Sequence, residues 1–297
     1  MIQAGAIVVV ALGGNAISPP RGNLTFDLER KLINRAATEL AELGASGARL
    51  LVVHGNGPQV GRLLTDESGE DLDIRVAQTQ GELGYLIVEA LSRHLGSDSA
   101  VAVVTRAIID PNDPAFAHPM KPIGAVLATP PSDMPAQPML DGGGWRRVVA
   151  SPRPLAVVEQ TAISALLATH HVVAGGGGGI PLCVSGGARS ARSAVVDKDW
   201  VAAHLATSLG AAKLLFITDV ACAFDHFGES GQKPIVTMTV GEARERLARE
   251  TFARGSMAPK IESAVQFVAA TGQQATIAAL GSLASALSGS SGTTISP

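Results

Sequence analysis

Six short apolar runs punctuate the chain, at 7–12, 49–53, 100–104, 171–174, 213–217 and 275–278. Each is too short for a helix and is bounded by glycine or polar residues, which predicts buried strands. Between them apolar positions recur at helical spacing. In 26–43, Phe26, Ile33, Ala36, Ala37, Leu40 and Leu43 fall on one face, and similar stripes run through 80–95, 156–168, 199–209 and 260–270. Short buried strands alternating with helices predict βαβ units, hence an α/β fold with a mostly parallel sheet covered on both faces. Such sheets bind ligands beyond the carboxyl ends of their strands. The chain places its glycines there: Gly13-Gly14, Gly55 and Gly57, and Gly175 to Gly179. The proline-rich segment 111–154 breaks the rhythm and reads as an insertion or small subdomain. No internal repeat is found, and SGSSGTTIS near the C-terminus predicts a turn into a short final strand.

Composition narrows the classes. With 46% hydrophobic and 16% charged residues over 297 positions, the chain has enough apolar surface for a large folded core. A net charge of −3 and 3% aromatics argue against nucleic-acid or anionic-membrane binding. Cys183 and Cys222 stand far apart with no CxxC, which excludes a zinc knuckle and suits a reducing compartment. The apolar run at 6–12 lacks a basic leader, and no window is long enough to span a bilayer. A soluble, cytoplasmic protein is expected.

The candidate chemistry begins at IVVVALGGNAI (7–17), where a β-branched run ends in Gly13-Gly14-Asn15. Taken alone, this is either a tight strand-to-helix turn or a cradle of main-chain N–H groups for an anion. VVHGNGPQVG (52–61) repeats the arrangement, with Gly55 and Gly57 around Asn56 and a helix start at Pro58. Two such turns on neighbouring strands form a two-sided anion cradle, and His54 reads as a packed strand-end histidine rather than a base. AGGGGGIP (174–181), with Gly176 and Gly177 at its centre, is favoured as a phosphate path.

Neither turn carries a lysine. Two lysines occur instead at helix starts, where a cation opposes the dipole. Lys198 opens a helix in VVDKDW, between Asp197 and Asp199, and Lys260 follows Gly255-Ser256 in RGSMAPKIE. Each alone could be a solvated lysine; together they suggest one shared anion. Lys121, in MKPIG, reads as solvated, and Thr218-Asp219 in LLFITDVACAFDHFG reads as a polar turn. Shape and N–H donors from one half with charge from the other suffice for phosphoryl transfer, whose catalysis is mainly positioning and charge stabilisation.

IVVVALGGNAI, VVHGNGPQVG, IDPNDPAF with MKPIG, GWRRVVASPRP, GGGGGIP, VVDKDW, LLFITDV and GSMAPKIESAVQFV, in that order and spacing, resemble the carbamate kinases of the amino acid kinase superfamily. The resemblance runs from Ile7 to about Ile295. It implies a three-layer αβα sandwich around an open, mainly parallel eight-stranded sheet. One kinase domain over 1–297 is expected, with a carbamate/phosphate lobe at about 1–190, a protruding subdomain at about 111–154, and a nucleotide lobe at about 191–297. The implied reaction is reversible, Mg²⁺-dependent transfer between ATP and carbamate, giving ADP and carbamoyl phosphate, in a homodimer.

Carried over by position, Gly13, Gly14, Asn15, Gly55, Asn56 and Gly57 bind the carbamate or carbamoyl phosphate. Lys121, Lys198, Asp199 and Lys260 are catalytic: Lys121 closes on the phosphates, and Asp199 orients the other two lysines. Gly176, Gly177, Thr218, Asp219, Phe224, Ser256 and Met257 line the nucleotide site, and Mg²⁺ is held by the phosphates rather than by the protein. Where the family continues ITDVDGVYxNYG, this chain has ITDVACAFDHFG. Two alternatives stay open. A sibling kinase for a larger carboxylate needs a further cationic clamp, for which Arg146 and Arg147 are the close-set candidates. A degenerate module that binds nucleotide or carbamoyl phosphate without turnover is the other.

Overall fold

The computed structural model describes residues 3–17, 25–63, 72–132, 134–139, 143–253 and 256–297. β1 (Ile7–Leu12) runs into the one-turn helix α1 (Gly14–Ile17), followed by α2 (Phe26–Ala45), β2 (Arg49–His54), α3 (Gly57–Leu63) and α4 (Leu72–Leu95). Next come β3 (Ala100–Ala102) and β4 (Arg106–Ile109), then a 3-10 turn at Pro114–Phe116. The proline-rich segment holds β5 (Lys121–Leu127), β6 (Ala136–Pro138) and β7 (Trp145–Val149). It is followed by β8 (Pro154–Val157), α5 (Gln160–Leu167), β9 (His171–Val173), a second 3-10 turn at Gly176–Gly178, β10 (Ile180–Ser185) and β11 (Ala188–Ala191). The remainder comprises α6 (Lys198–Ser208), β12 (Lys213–Thr218), β13 (Ala223–Asp225), β14 (Lys233–Ile235), β15 (Thr237–Thr239) and α7 (Val240–Ala248). α8 (Met257–Thr271), β16 (Ala275–Ala279), α9 (Leu283–Leu287) and β17 (Thr293–Ser296) complete it.

The central sheet has eight strands in the order β15-β17-β16-β12-β1-β2-β9-β3, parallel throughout except between β16 and β17. Its central strands β1, β2, β12 and β16 are buried on both faces, which is why they read as continuous apolar runs. Val8, Val10, Leu12, Leu50 and Val52 pack with Ile33, Leu40, Leu83 and Ile87 of α2 and α4. Val9, Ala11, Leu51 and Val53 face the other way, onto Val201, Leu205, Ile261 and Phe267 of α6 and α8. The three-layer αβα sandwich expected from the resemblance is the architecture found.

Details differ from the periodicity. The stripe at 156–168 divides into strand β8 and helix α5, and Phe26 is 59% exposed at the start of α2, with the Arg62 guanidinium over its ring at 4.6 Å. Helix α7 went unread although its signature is plain: Thr239 and Glu242 form a reciprocal capping box. Segment 111–154 is not structureless, because β5, β7 and β6 pair antiparallel into a separate three-stranded sheet. No helix among the described residues is long and apolar enough to cross a membrane.

Candidate active site

The two glycine–asparagine turns lie side by side, because β1 and β2 are paired in parallel with Leu12 opposite His54. Close approach explains the glycines. A Cβ on Gly13 would lie 2.8 Å from the Ile217 carbonyl oxygen, and one on Gly55 2.9 Å from the Gly14 nitrogen. The expected set of N–H donors needs correcting. Gly13 N–H donates to the Ile217 carbonyl (2.7 Å) and Gly55 N–H to the Leu12 carbonyl (2.9 Å), extending the ladder. The donors lie one step further on, from Gly14 at the start of α1 and Gly57 at the start of α3, where helix geometry leaves N–H groups without intrahelical partners. Asn56 is buried, and its amide donates to Thr79 Oγ1 of α4 (2.9 Å), so it fastens the turn from below. The side chain of Asn15, like Gly255, lies outside the described residues.

The third glycine run is a packing surface more than a phosphate path. A Cβ on Gly176 would meet His54 Nε2 at 2.3 Å, one on Gly177 the Asn56 amide at 2.1 Å, and one on Gly178 the Val196 carbonyl at 2.0 Å. Gly177, Gly178 and Gly179 also have positive φ, which a side chain disfavours. Only Gly177 of the three central glycines reaches the cleft wall. His54 is the packed histidine expected: 1% exposed, its Nδ1 donates to the Gly55 carbonyl at 3.1 Å.

The charge comes from three lysines gathered around two aspartates. Asp197 caps α6, accepting from the Asp199 N–H at 2.9 Å, and its other oxygen accepts from Lys121 Nζ of β5 at 2.5 Å. Asp199 accepts from Lys198 Nζ on one oxygen and from Lys260 Nζ on the other, the latter at 3.1 Å. Lys260 also donates to the Ser256 carbonyl at 3.3 Å. Burial favours the neutral form of each lysine; for Lys198, with Lys260 repelling it as well, this outweighs Asp199 and lowers its pKa. For Lys260, Asp199 and Asp197 outweigh burial and raise it. Burial likewise works against the Asp197 carboxylate, yet Lys121 and Lys198 hold its pKa well below the usual carboxylate range. Asp197 was legible only as a helix-start acid; the Lys121 partnership spans 76 positions.

These groups enclose a cleft of about 270 Å³. Gly13, Gly14, Gly55, Asn56 and Gly57 line it together with Lys198, Asp199, Lys260, Thr218, Asp219 and Ser256, and Lys121 with Ile123 joins them from β5. Gly176, Phe224 and Met257 lie outside its wall: Phe224 of β13 stacks on Phe227 with centroids 5.8 Å apart, and Met257 packs against the core. Arg146 donates to the Gly124 carbonyl at 3.0 Å, away from the cleft. No arginine lines the cleft among the described residues.

His54 gives this site a measurable pH dependence. Burial, reinforced by Lys198 and only partly offset by the Gly55 hydrogen bond, pushes its pKa down to about 4 from 6.5. The unfolded chain therefore takes up a proton near pH 6.5 that the folded chain refuses until about pH 4. Stability is complete above that window and falls as pH drops through it, by up to about 3 kcal/mol. His171 and His204, also lowered by burial, act in the same direction. Denaturant unfolding at pH 7 and pH 5 should show the loss. It should shrink in His54→Asn, whose amide can reproduce the donor to Gly55; an unchanged slope would place the titration elsewhere.

Comparison with known proteins identifies the family. Residues 6–279 match the model of the amino acid kinase family. A carbamate kinase of Halobacterium salinarum is 38% identical over 302 residues, covering 97% of this chain and 98% of that protein. One from Thermococcus kodakarensis is 36% identical, over 97% and 98%. Among solved structures, carbamate kinase from Giardia lamblia bound to AMP-PNP superposes with a TM-score of 0.89 at 31% identity, covering 99% of each chain. The citric acid-bound form of that enzyme gives 0.90 at 32% identity, again over 99% of each chain. With its motifs, its sheet order and these relatives in agreement, the chain belongs to the carbamate kinases of the amino acid kinase family.

Proposed function

We infer that this cleft is where the chain carries out the carbamate kinase reaction, ATP plus carbamate giving ADP plus carbamoyl phosphate, in either direction. The observation that carries the assignment is the meeting of Lys198 and Lys260 on the two oxygens of one buried carboxylate, Asp199, in the cleft that the glycine turns also line. A carbamate oxygen forms the new bond to the γ-phosphorus, and the bond to the β–γ bridging oxygen breaks, its electron pair leaving with ADP. No proton has to move, because the acceptor is already an anion. The first-turn N–H groups of α1 and α3 hold the acceptor, Lys198 and Lys260 take the charge that spreads over the transferring group, and Lys121 closes on the phosphates from β5.

The acceptor side is small and has an apolar wall of Val60, Ile123 and Val195. Among the described residues no arginine stands there to clamp a bulky dicarboxylate, which favours carbamate over the acceptors of sibling kinases. Thr218, Asp219 and Ser256 stand on the nucleotide side, with Phe224 and Met257 beyond the wall as its extension. Mg²⁺ travels with the nucleotide. Among the described residues no cluster of His, Cys, Asp or Glu is placed to hold a metal ion, and Asp197 and Asp199 are already engaged by lysines. When bound with the nucleotide, the ion would neutralise part of the phosphates' charge. We read the chain as one domain of two lobes, about 1–190 and 191–297, with the β5–β7–β6 sheet as its protruding subdomain. We take it to act as a cytoplasmic homodimer; exposed Ile74 and Tyr85 on α4 offer apolar surface for the partner. The test is ATP formation from ADP and carbamoyl phosphate with Mg²⁺, scored against a panel of other acyl phosphates. Absence of ATP above the uncatalysed rate would sink the reading.

A further inference from the structure

We propose that Arg153 is a positioning residue for this reaction, fastening together the N-terminal ends of α6 and α8 from which Lys198 and Lys260 enter the cleft. The proposal rests on the reading that these two lysines act on the transferring phosphoryl group. Arg153 itself lies between β7 and β8, outside the cleft wall. Its guanidinium carbon sits 3.7 Å from the centroid of the Trp200 ring, and Nη2 donates to Glu262 Oε2 at 3.1 Å. Trp200 is two residues beyond Lys198, and Glu262 is two residues beyond Lys260. One planar group thus touches both lysine-bearing helices two residues beyond each lysine, while Asp199 ties the lysines themselves on the cleft side.

Arg153 is in turn held in place. Its backbone N–H donates to Asp113 Oδ2 at 3.0 Å, and Asp113 Oδ1 accepts from the Ala115 N–H at 2.8 Å, capping the turn at Pro114–Phe116. The blocks IDPNDPAF and GWRRVVASPRP, which the cleft leaves largely unexplained, meet VVDKDW and APKIE at this point. The chemistry asks for arginine: a guanidinium can stack flat on an indole and present its edge to a carboxylate at once, which an ammonium cannot. With Arg153 62% and Glu262 37% exposed, the ion pair contributes little to overall stability. What it holds is orientation, to which a transfer between fixed charges is sensitive on the scale of an ångström.

The experiment compares Arg153→Met and Arg153→Lys with the parent. Arg153→Met should lower kcat for ATP formation threefold or more, with KM for ADP and carbamoyl phosphate within about twofold and Tm little changed. Arg153→Lys, which keeps the charge opposite Glu262 but not the flat stacking, should fall between. In ¹³C-lysine-labelled protein the side-chain resonances of Lys198 and Lys260 should move in Arg153→Met. A kcat loss below threefold, or lysine resonances that stay in place, overturns the proposal. If the parent forms no ATP, the reading of the cleft fails instead, and the resonances still decide whether Arg153 positions the lysines.

Discussion

Alanine at Lys198 or at Lys260 should lower kcat by about 10²–10³-fold, the scale of removing one preorganised donor from a developing anion. KM for ADP should change far less, because each lysine is asked to do most when charge spreads in the transition state. The sequence alone implies that either substitution is free or slightly stabilising, since each lysine opposes its helix dipole. The structure revises that. Both ammonium groups are bound to Asp199, but losing one leaves Asp199 the other and relieves the repulsion that Lys260 exerts on Lys198. The two effects oppose each other, so the net change is about 1 kcal/mol or less, a few degrees in Tm. Steady-state kinetics with parallel thermal unfolding makes the check. Near-normal kcat with a clear fall in Tm would identify structural lysines and reject the mechanism.

Asp199→Ala should be the most damaging single change to the fold and the site together. Asp199 is 3% exposed and is the carboxylate shared by two lysines; without it, two buried ammonium groups repel each other with only the more distant Asp197, already paired with Lys121, as common counter-charge. Breaking a buried ionic arrangement from one side costs about 3–5 kcal/mol. Two signatures separate this from ordinary core damage. Inorganic phosphate should raise Tm more in the variant than in the parent, because an anion replaces the missing charge and binds only the folded state. Stability should also rise with pH. Burial already lowers the Lys198 pKa, and loss of Asp199 lowers it further; from there up to about 10.5 the unfolded chain binds the proton that the folded chain has released, so alkali favours folding. Equal phosphate effects in variant and parent would show that Asp199 is not the anion these lysines are waiting to exchange.

Much of the architecture was legible because its signals are local. The runs at 7–12 and 49–53 are buried on both sides, so they read as unbroken apolar stretches, and the glycines at their ends mark backbone that must pass close to other backbone. Lys198 and Lys260 stood out because each violates a local electrostatic preference, and violations of that kind collect where function is. Relations between distant segments were not legible. Nothing near Lys121 indicates that its partner is Asp197, and nothing in the five-glycine run says that His54 and Asn56 fill the space a side chain would need. Register decided the N–H groups: two of the expected donors, those of Gly13 and Gly55, are consumed by strand pairing that no spacing reveals. The β5–β7–β6 sheet escaped periodicity because its strands are short and proline-interrupted; the break in rhythm marked 111–154 as an insertion or small subdomain but not its strands.

The position of β1 has a mechanical consequence. It is hydrogen-bonded on one side to β2, which leads into the acceptor turn, and on the other to β12, which leads into Thr218 and Asp219. The proposed acceptor and nucleotide regions are therefore indexed to each other through a single strand whose residues Val8 to Leu12 are wholly excluded from solvent. Opening the cleft like a clamshell would require unzipping that ladder, so the halves behave as one girder and ligand traffic falls to the small β5–β7–β6 sheet, which shares no strand with it. Amide exchange should register this as a gradient, slowest in β1 and its two neighbours and fastest in β5 to β7, and slow exchange should persist at β1 through every turnover.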